Sequence, residues 1–500
     1  MSSILMRMPL EILHTIFACL DLESIKCLRL TDHSLSTICL TPYFLSSIAQ
    51  PSTDLSDESL FRLEALVRNN ILRHKCHTLT ISACYHDSNA AETRVATGRF
   101  RKAAALRAKA STECLERELT EATEDLAWLK ARRHDQEAQT KSDTIQRLTP
   151  ILSGFECVHT VRLSAVIVRG HKVQVLPSDR NPWTPVWARA SWVYDVVMSA
   201  VRQSGISLRN LDIYRSLQWC SLTCRSYSSP LTSWTVDDLL AVGKDLEVLS
   251  VSLSTGIDNR GFSRLGSRER AIMEDNTGFA HRELVMTNDV HSDITRLLQN
   301  APKLLQLDLH LYHLSDFNLM PYASIFHTLA SQVRIPSLRK CKLSGLMVSE
   351  ESLLLFLKKH PQLQSLALQE IYLTEGTWPP VFSYLSTSMP DLEDLKLSNL
   401  LWHDREGDSE EEDGNGRVKM GTKKKHVNLE PVWDIGIPQD ESIRVRYNSG
   451  LYFVHTRHFD QEDLRKGLHF THRSTRQVIS PSVRRWGMKR WEEYGPLLDY

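Results

Sequence analysis

From Pro9 onward the apolar residues fall at helical intervals, Leu10, Leu13, Ile16, Phe17 and Leu20 stepping by three, three, one and three, which is one face of a helix. Pro9 suits the start of that helix because the N–H it lacks would have no partner there. Asp21 stands as the cap of a second helix carrying Leu22, Ile25, Leu28 and Leu30, and TDHSLSTIC turns into a third that ends near Thr41-Pro42. Three short helices in about forty residues bury too little surface to stand alone. The pattern therefore predicts that this segment completes its core against something else.

Further along, a different pattern takes over. PKLLQLDLHLYHL from Pro302, PSLRKCKLSGL from Pro336, PQLQSLALQEIYL from Pro361 and PDLEDLKLSNLLW from Pro390 share Pro-x-Leu-x-x-Leu-x-Leu, with Cys341 in one Leu place, at spacings of 34, 25 and 29 residues. Weaker copies begin at Val158, Leu208 and Leu246 and, least regular, at Cys76. Each predicts a short strand, because alternate residues of a strand point to opposite faces. The segment after Leu346 predicts the returning helix. Ser349 caps it, Glu350 and Glu351 sit at its positive end, Leu353, Leu354 and Leu357 share one face, Lys358, Lys359 and His360 lie at its negative end, and Pro361 stops it. DVHSDITRLLQNA and PVFSYLSTSM predict similar helices. One such unit is unstable; a stack of them buries a continuous core.

The residues that alternate with the inward Leu positions include Asp212, Tyr214, Asp308, His310, Lys340, Lys342, Gln369 and Lys396. They predict a mixed polar face and are the candidate substrate-binding residues, although a merely solvated strand exterior would read the same way. Nothing in the set is large, aromatic or single-signed enough to mark a hot spot.

The opening segment MPLEILHTIFACLDLESIKCLRLTDHSLSTICLTPYF resembles the F-box family, whose pattern begins Leu-Pro-x-Glu-Ile/Leu-Leu, continues with an Ile-Phe/Leu pair and passes through a Leu-rich helix to a serine-bearing third. Met8 stands where Leu is usual, and Asp32-His33 replaces the usual small-then-basic pair. The later phrase resembles the leucine-rich repeat. The first resemblance implies docking on a Skp-family adaptor, and through it a cullin, by Pro9, Leu10, Ile12, Leu13, Ile16, Phe17, Leu20, Leu28 and Leu30. Without it the helices read as a cap on the domain that follows.

Residues 90–141 are rich in Ala, Glu, Arg and Leu and predict a long helix or helical hairpin. Leu115, Leu119, Ala122, Leu126 and Leu129 form a seam too short for a coiled coil, which favours packing on the repeats over dimerisation. The acidic-then-basic run from Asp404 to His426 lacks the apolar residues to order itself. SIRVRY and LYFVHT alternate like strands, and Trp486, Trp491 and Tyr494 suit a closing helix.

Charge is balanced, 60 basic against 60 acidic residues, which argues against a general nucleic-acid binder. No apolar run reaches the roughly 20 residues of a membrane span, and ten cysteines without a CxxC pair predict a reducing, cytoplasmic or nuclear setting. No P-loop, GxGxxG, HExxH or GxSxG is present, so no enzyme and no cofactor or metal is expected. The expected fold is α/β, with a three-helix F-box over 5–48, a connecting helix and irregular first strand over 49–89, and a charged helical insert over 90–148. An irregular leucine-rich-repeat solenoid over 149–403, a disordered loop over 404–426 and a capping region over 427–500 complete it. The function this predicts is substrate recognition for a Skp-cullin-F-box ubiquitin ligase by a chain monomeric outside the complex, its protein substrate unknown. The alternative is a repeat-built scaffold that recruits no ligase.

Overall fold

The computed structural model of the chain describes residues 8–20, 22–31, 33–39, 49–97, 112–177, 183–217, 220–254, 289–312, 320–398, 400–403, 424–429, 444–447, 450–453, 456–466 and 470–474. The architecture is mixed α/β, dominated by a parallel sheet. Ser52–Thr53, Thr78–His86, Thr160–Gly170, Asn210–Ile213, Val248–Ser254, Gln306–Tyr312, Lys340–Ser344, Ser365–Gln369 and Asp394–Ser398 lie side by side in chain order, every adjacent pair parallel. Thr456–Asp460 closes the far edge antiparallel to Asp394–Ser398.

Register follows from the apolar positions. Leu79, Val161, Leu211, Leu249, Leu307, Cys341, Leu366 and Leu395 form one row across the sheet. Two residues on, Ile81, Leu163, Ile213, Val251, Leu309, Leu343, Leu368 and Leu397 form the next. All are buried. A slip of one residue in any strand would turn its apolar set away from the core, so the pairing is strongly specified. The phrase beginning at Cys76, the weakest in the sequence, is thus a full strand, and the long segments after Leu163 and Leu253 do not break the ladder.

One face of the sheet is covered by helices that pack each on the next: Asp57–Arg68, Lys141–Gly154, Trp183–Ser204, Cys224–Leu231, Asp289–Gln299, Met320–Gln332, Glu350–Lys359 and Trp378–Thr387. Ser349 caps Glu350–Lys359 as its sequence predicts, its side chain accepting from Ser352 N. His360 departs from that reading. It is buried at the helix end, with Ile335 N donating to Nε2 at 3.1 Å and Nδ1 2.8 Å from the Phe356 carbonyl oxygen. One ring nitrogen accepts and the other donates, so the ring is neutral, and burial holds its pKa below the usual value. It ties a helix to the next loop rather than complementing a dipole.

The helical insert consists of Asn89–Thr97 and Thr112–Ala138, with 98–111 outside the described residues. Lys141–Gly154, inside the bounds expected for the insert, belongs to the helical layer, and the sheet itself begins upstream of 149. Lys424–Leu429 is a strand of a second sheet with Met347–Ser349, Tyr372–Glu375, Leu401–His403 and Phe470–Ser474, so the expected loop is shorter at its C-terminal end. Residues 404–423 and the aromatic set Trp486, Trp491 and Tyr494 lie outside the described residues. Arg444–Tyr447 and Gly450–Phe453 pair antiparallel, in keeping with their alternation. Among the described residues no helix is long and apolar enough to cross a membrane.

Candidate functional site

Leu10–Ala18, Leu22–Thr31 and His33–Ile38 form the N-terminal bundle. Pro9 is its N-cap, and its carbonyl accepts from Ile12 N and Leu13 N. Arg29 Nε donates to the Ser36 carbonyl at 3.3 Å, tying the second helix to the third. Leu13, Phe17, Ile25, Leu35 and Cys39 make a small interior of their own, with Met8, Ile16, Leu20, Leu28 and Ile38 packed on it. This cluster is separate from the core of the sheet.

That arrangement divides the nine residues expected to meet an adaptor. Leu13 and Phe17 are enclosed by the bundle itself; Ile16, Leu20 and Leu28 are half-buried; Pro9 is exposed. Leu10 and Ile12 are each 50% exposed and Leu30 is 88% exposed. A fully exposed large aliphatic side chain forgoes about 1.5–3 kcal/mol of burial.

The second candidate surface is the sheet face away from the helical layer. Arg162, Asp212, Ser250, Asp308, Lys342, Ala367 and Lys396 share one row of it. Arg162 pairs with Asp212 at 3.6 Å, Arg215 with Asp308 at 2.7 Å, and Lys342 with Asp308 at 4.0 Å. Asp212 also accepts from Arg215 N, so the pairs join into one network. Burial raises the Asp212 pKa, and burial followed by repulsion from Arg215 lowers that of Lys342. Asp394 is held below the usual carboxylate range by the Ser365 hydroxyl at 2.7 Å, against a smaller burial effect, and by His458. Lys340 and Lys396 are exposed and Gln369 is half-buried.

Two residues expected on this face are not presented there. Tyr214 follows the end of its strand in a left-handed conformation, φ 57°, which breaks the alternation and turns the ring into the core, where its hydroxyl donates to the Ala190 carbonyl at 2.9 Å. His310 keeps the outward register, yet it is buried between Ser252 and Ser344, its buried neighbours in the same row, with Nδ1 3.4 Å from Ser252 Oγ. Neither is available to a partner.

The face is also not open at its N-terminal end. Cys84, Val166 and Val168 are outward positions that are not polar, and Leu126, Trp128 and Leu129 of Thr112–Ala138 pack on them. Gln136 donates to the Cys84 carbonyl at 2.9 Å and Arg133 to that of His86 at 2.6 Å. Gly170 lets the helix approach, since a Cβ there would meet the Asp125 carboxylate at 2.5 Å. Of the predicted seam, Ala122 and Leu129 are buried, Leu126 is half-buried and Leu119 is exposed. The signal for this cover in the sequence is the run of apolar outward residues in adjacent strands, Cys84, Val166 and Val168. No family profile matches the chain and no curated protein matches it in sequence.

Proposed function

We propose that the chain is the substrate-recognition subunit of a Skp-cullin-F-box ubiquitin ligase, with the N-terminal bundle on the adaptor and the leucine-rich-repeat body holding a protein target. The observation that carries this reading is the bundle's self-contained interior together with the aliphatic side chains it leaves in water. A cap would merge its core with that of the sheet; this bundle keeps its core apart and turns Leu10, Ile12 and Leu30 outward. The sequence resemblance supplies the partner that such a surface fits. The body supports the second half of the reading, because the strands from Asn210–Ile213 to Asp394–Ser398 bring charged or polar groups to a shared face that a target can span.

On this reading the chain does no chemistry. It holds the target's lysines near the ubiquitin-loaded enzyme, and the rate gain comes from proximity.

The test is co-purification of the intact chain with a Skp-family adaptor, beside a Leu10→Asp, Leu30→Asp double variant. Both positions are exposed, so the variant folds, which circular dichroism checks. Capture by the wild type and loss of at least about tenfold in affinity with the variant is the expected result, since hot-spot truncations cost about 2 kcal/mol or more. No capture by the folded wild type leaves a scaffold without ligase recruitment.

A further inference from the structure

Beside the short edge strand Ser52–Thr53 the helix Thr112–Ala138 and the helical layer border an open-mouthed cavity of about 670 Å³, within the range of roughly 300–1,000 Å³ typical of small-molecule sites. Its lining is polar and mixed in charge. Most of its arginines are already committed: Arg62 and Arg132 pair with Glu58, and Arg147 with Asp57 and Glu64.

Arg189 is different. Among the described residues no carboxylate pairs with it. Its Nη2 donates to Gln139 Oε1 at 3.3 Å, its guanidinium lies 4.0 Å from the Trp192 ring centroid, and its Nε is buried without a hydrogen-bond partner. Burial pulls its pKa down to about 10. Asp54 acts on it electrostatically without an ion pair, and the buried Nε–H still has no acceptor, a cost that an anion's oxygen brought to it removes.

A second group points the same way. His86 also lines the cavity and is 8% exposed, and its Nδ1 is buried with no hydrogen-bond partner. Burial, opposed by a hydrogen bond with Gln136, keeps it neutral near pH 7, with one ring nitrogen able to donate and the other to accept. Its ring meets Trp128 edge-on at 6.1 Å between centroids, and Trp128 also contacts His171 at 4.6 Å and Arg132 at 5.6 Å, so the polar groups adjoin an aromatic cluster. Asp54 sets the charge limit. Its Oδ1 accepts from Ser56 N at 3.0 Å and Ser56 Oγ at 2.6 Å. Burial alone would raise its pKa, but these bonds and that of Ser59 hold it below the usual range, so it stays anionic. Among the described residues lining the cavity, Arg189 is the arginine without an ion pair, and with the anionic Asp54 beside it the site suits a monoanion and disfavours a phosphate dianion.

We infer that this cavity binds a small aromatic carboxylate, its carboxylate on Arg189 with His86 beside it and its ring along Trp128. A free aromatic acid and the C-terminus of a peptide ending in an aromatic residue present the same chemistry. The inference does not depend on adaptor binding and stands or falls separately from it.

Calorimetric titration of the full chain with phenylacetate, and with acetyl-Ala-Ala-Phe as free acid and as C-terminal amide, tests it. The expected result is binding of at least one carboxylate with Kd below about 1 mM, at least about tenfold weaker with Arg189→Gln and with the amide. Tighter binding of phenylacetate assigns the site to a free acid, and tighter binding of the tripeptide acid to a chain terminus. Ser82→Phe, which fills the cavity from the strand, abolishes binding and serves as a second variant should Arg189→Gln not fold. Failure of both carboxylates to bind the folded wild type, unchanged binding in a folded Arg189→Gln or Ser82→Phe, or tighter binding of inorganic phosphate overturns the inference.

Discussion

The N-terminal bundle and the sheet-and-helix body use the same aliphatic residues and bury them to very different degrees. In the body, Leu positions of neighbouring strands meet one another and the helix above, and the core runs unbroken from Leu55 to Leu464. In the bundle the interior is Leu13, Phe17, Ile25, Leu35 and Cys39, and Leu30 remains 88% exposed. Size accounts for the contrast: a small unit has too much surface for its volume to enclose every apolar residue its helices carry. Amphipathic spacing alone therefore does not say which side chains are inside. The number of layers available to receive them decides it.

The largest expected effect tests whether the two regions are independent. Phe356 is fully buried, 5.6 Å from the Phe326 ring and 4.4 Å from the His360 ring between centroids. Phe356→Ala lowers the stability of the body by about 3–5 kcal/mol, read as a shift in denaturant midpoint, while under the proposed function adaptor capture at low temperature is expected to persist. Simultaneous loss of both would merge the regions into one cooperative unit.

A smaller effect comes from His360. Its folded-state pKa is depressed by burial, so the unfolded chain binds the proton more readily. The stability it contributes is present above the unfolded value of about 6.5 and is lost as pH falls below it. The denaturant midpoint of the wild-type body is expected to drop between pH 7.5 and pH 5.5. His360→Ala is expected to cost about 1–3 kcal/mol at neutral pH, because it leaves Ile335 N–H without its acceptor, and to flatten that pH dependence. An unchanged slope would place the titration elsewhere.

The smallest effect on stability belongs to Leu30→Asp, less than about 0.5 kcal/mol, as for surface changes away from structural features. Its effect on capture sharpens the comparison. A side chain that contributes nothing to the fold and much to binding is an interface residue, whereas a loss of helicity in this variant would make Leu30 structural.

Much of the body was legible from residues alone. The Leu-x-x-Leu-x-Leu phrases mark their own strands, since the residues that define the phrase are those that share rows in the sheet, and Ser349 marks its helix start by the cap it makes. What was not legible depends on contacts between distant segments. Tyr214 left the polar face because of one left-handed backbone angle, and His360, read as complementing the helix's negative end, became a buried neutral bridge because Ile335 N stands next to it. The cavity was invisible for the same reason: Asp54, His86 and Arg189 come together only after three elements have packed, and no short motif joins them. Cys84, Val166 and Val168 were the missed clue, apolar residues at strand positions where solvent was expected.

The ordering of the large sheet bears on how the chain is made. Along the main path from Ser52–Thr53 to Asp394–Ser398 each of the nine parallel strands pairs with the path strand synthesised before it, with Val173–Val175 and Leu222–Thr223 attached at the side, so the nascent chain can add to a growing edge without waiting for a distant segment, a low-contact-order route that favours fast folding. Until Thr456–Asp460 emerges, however, Asp394–Ser398 presents an unpaired row of backbone donors and acceptors, the kind of edge that recruits strands from other molecules. The antiparallel strand is thus a lock added late in synthesis: a chain stopped before residue 456 holds the parallel ladder but leaves its last edge open to pairing with other molecules.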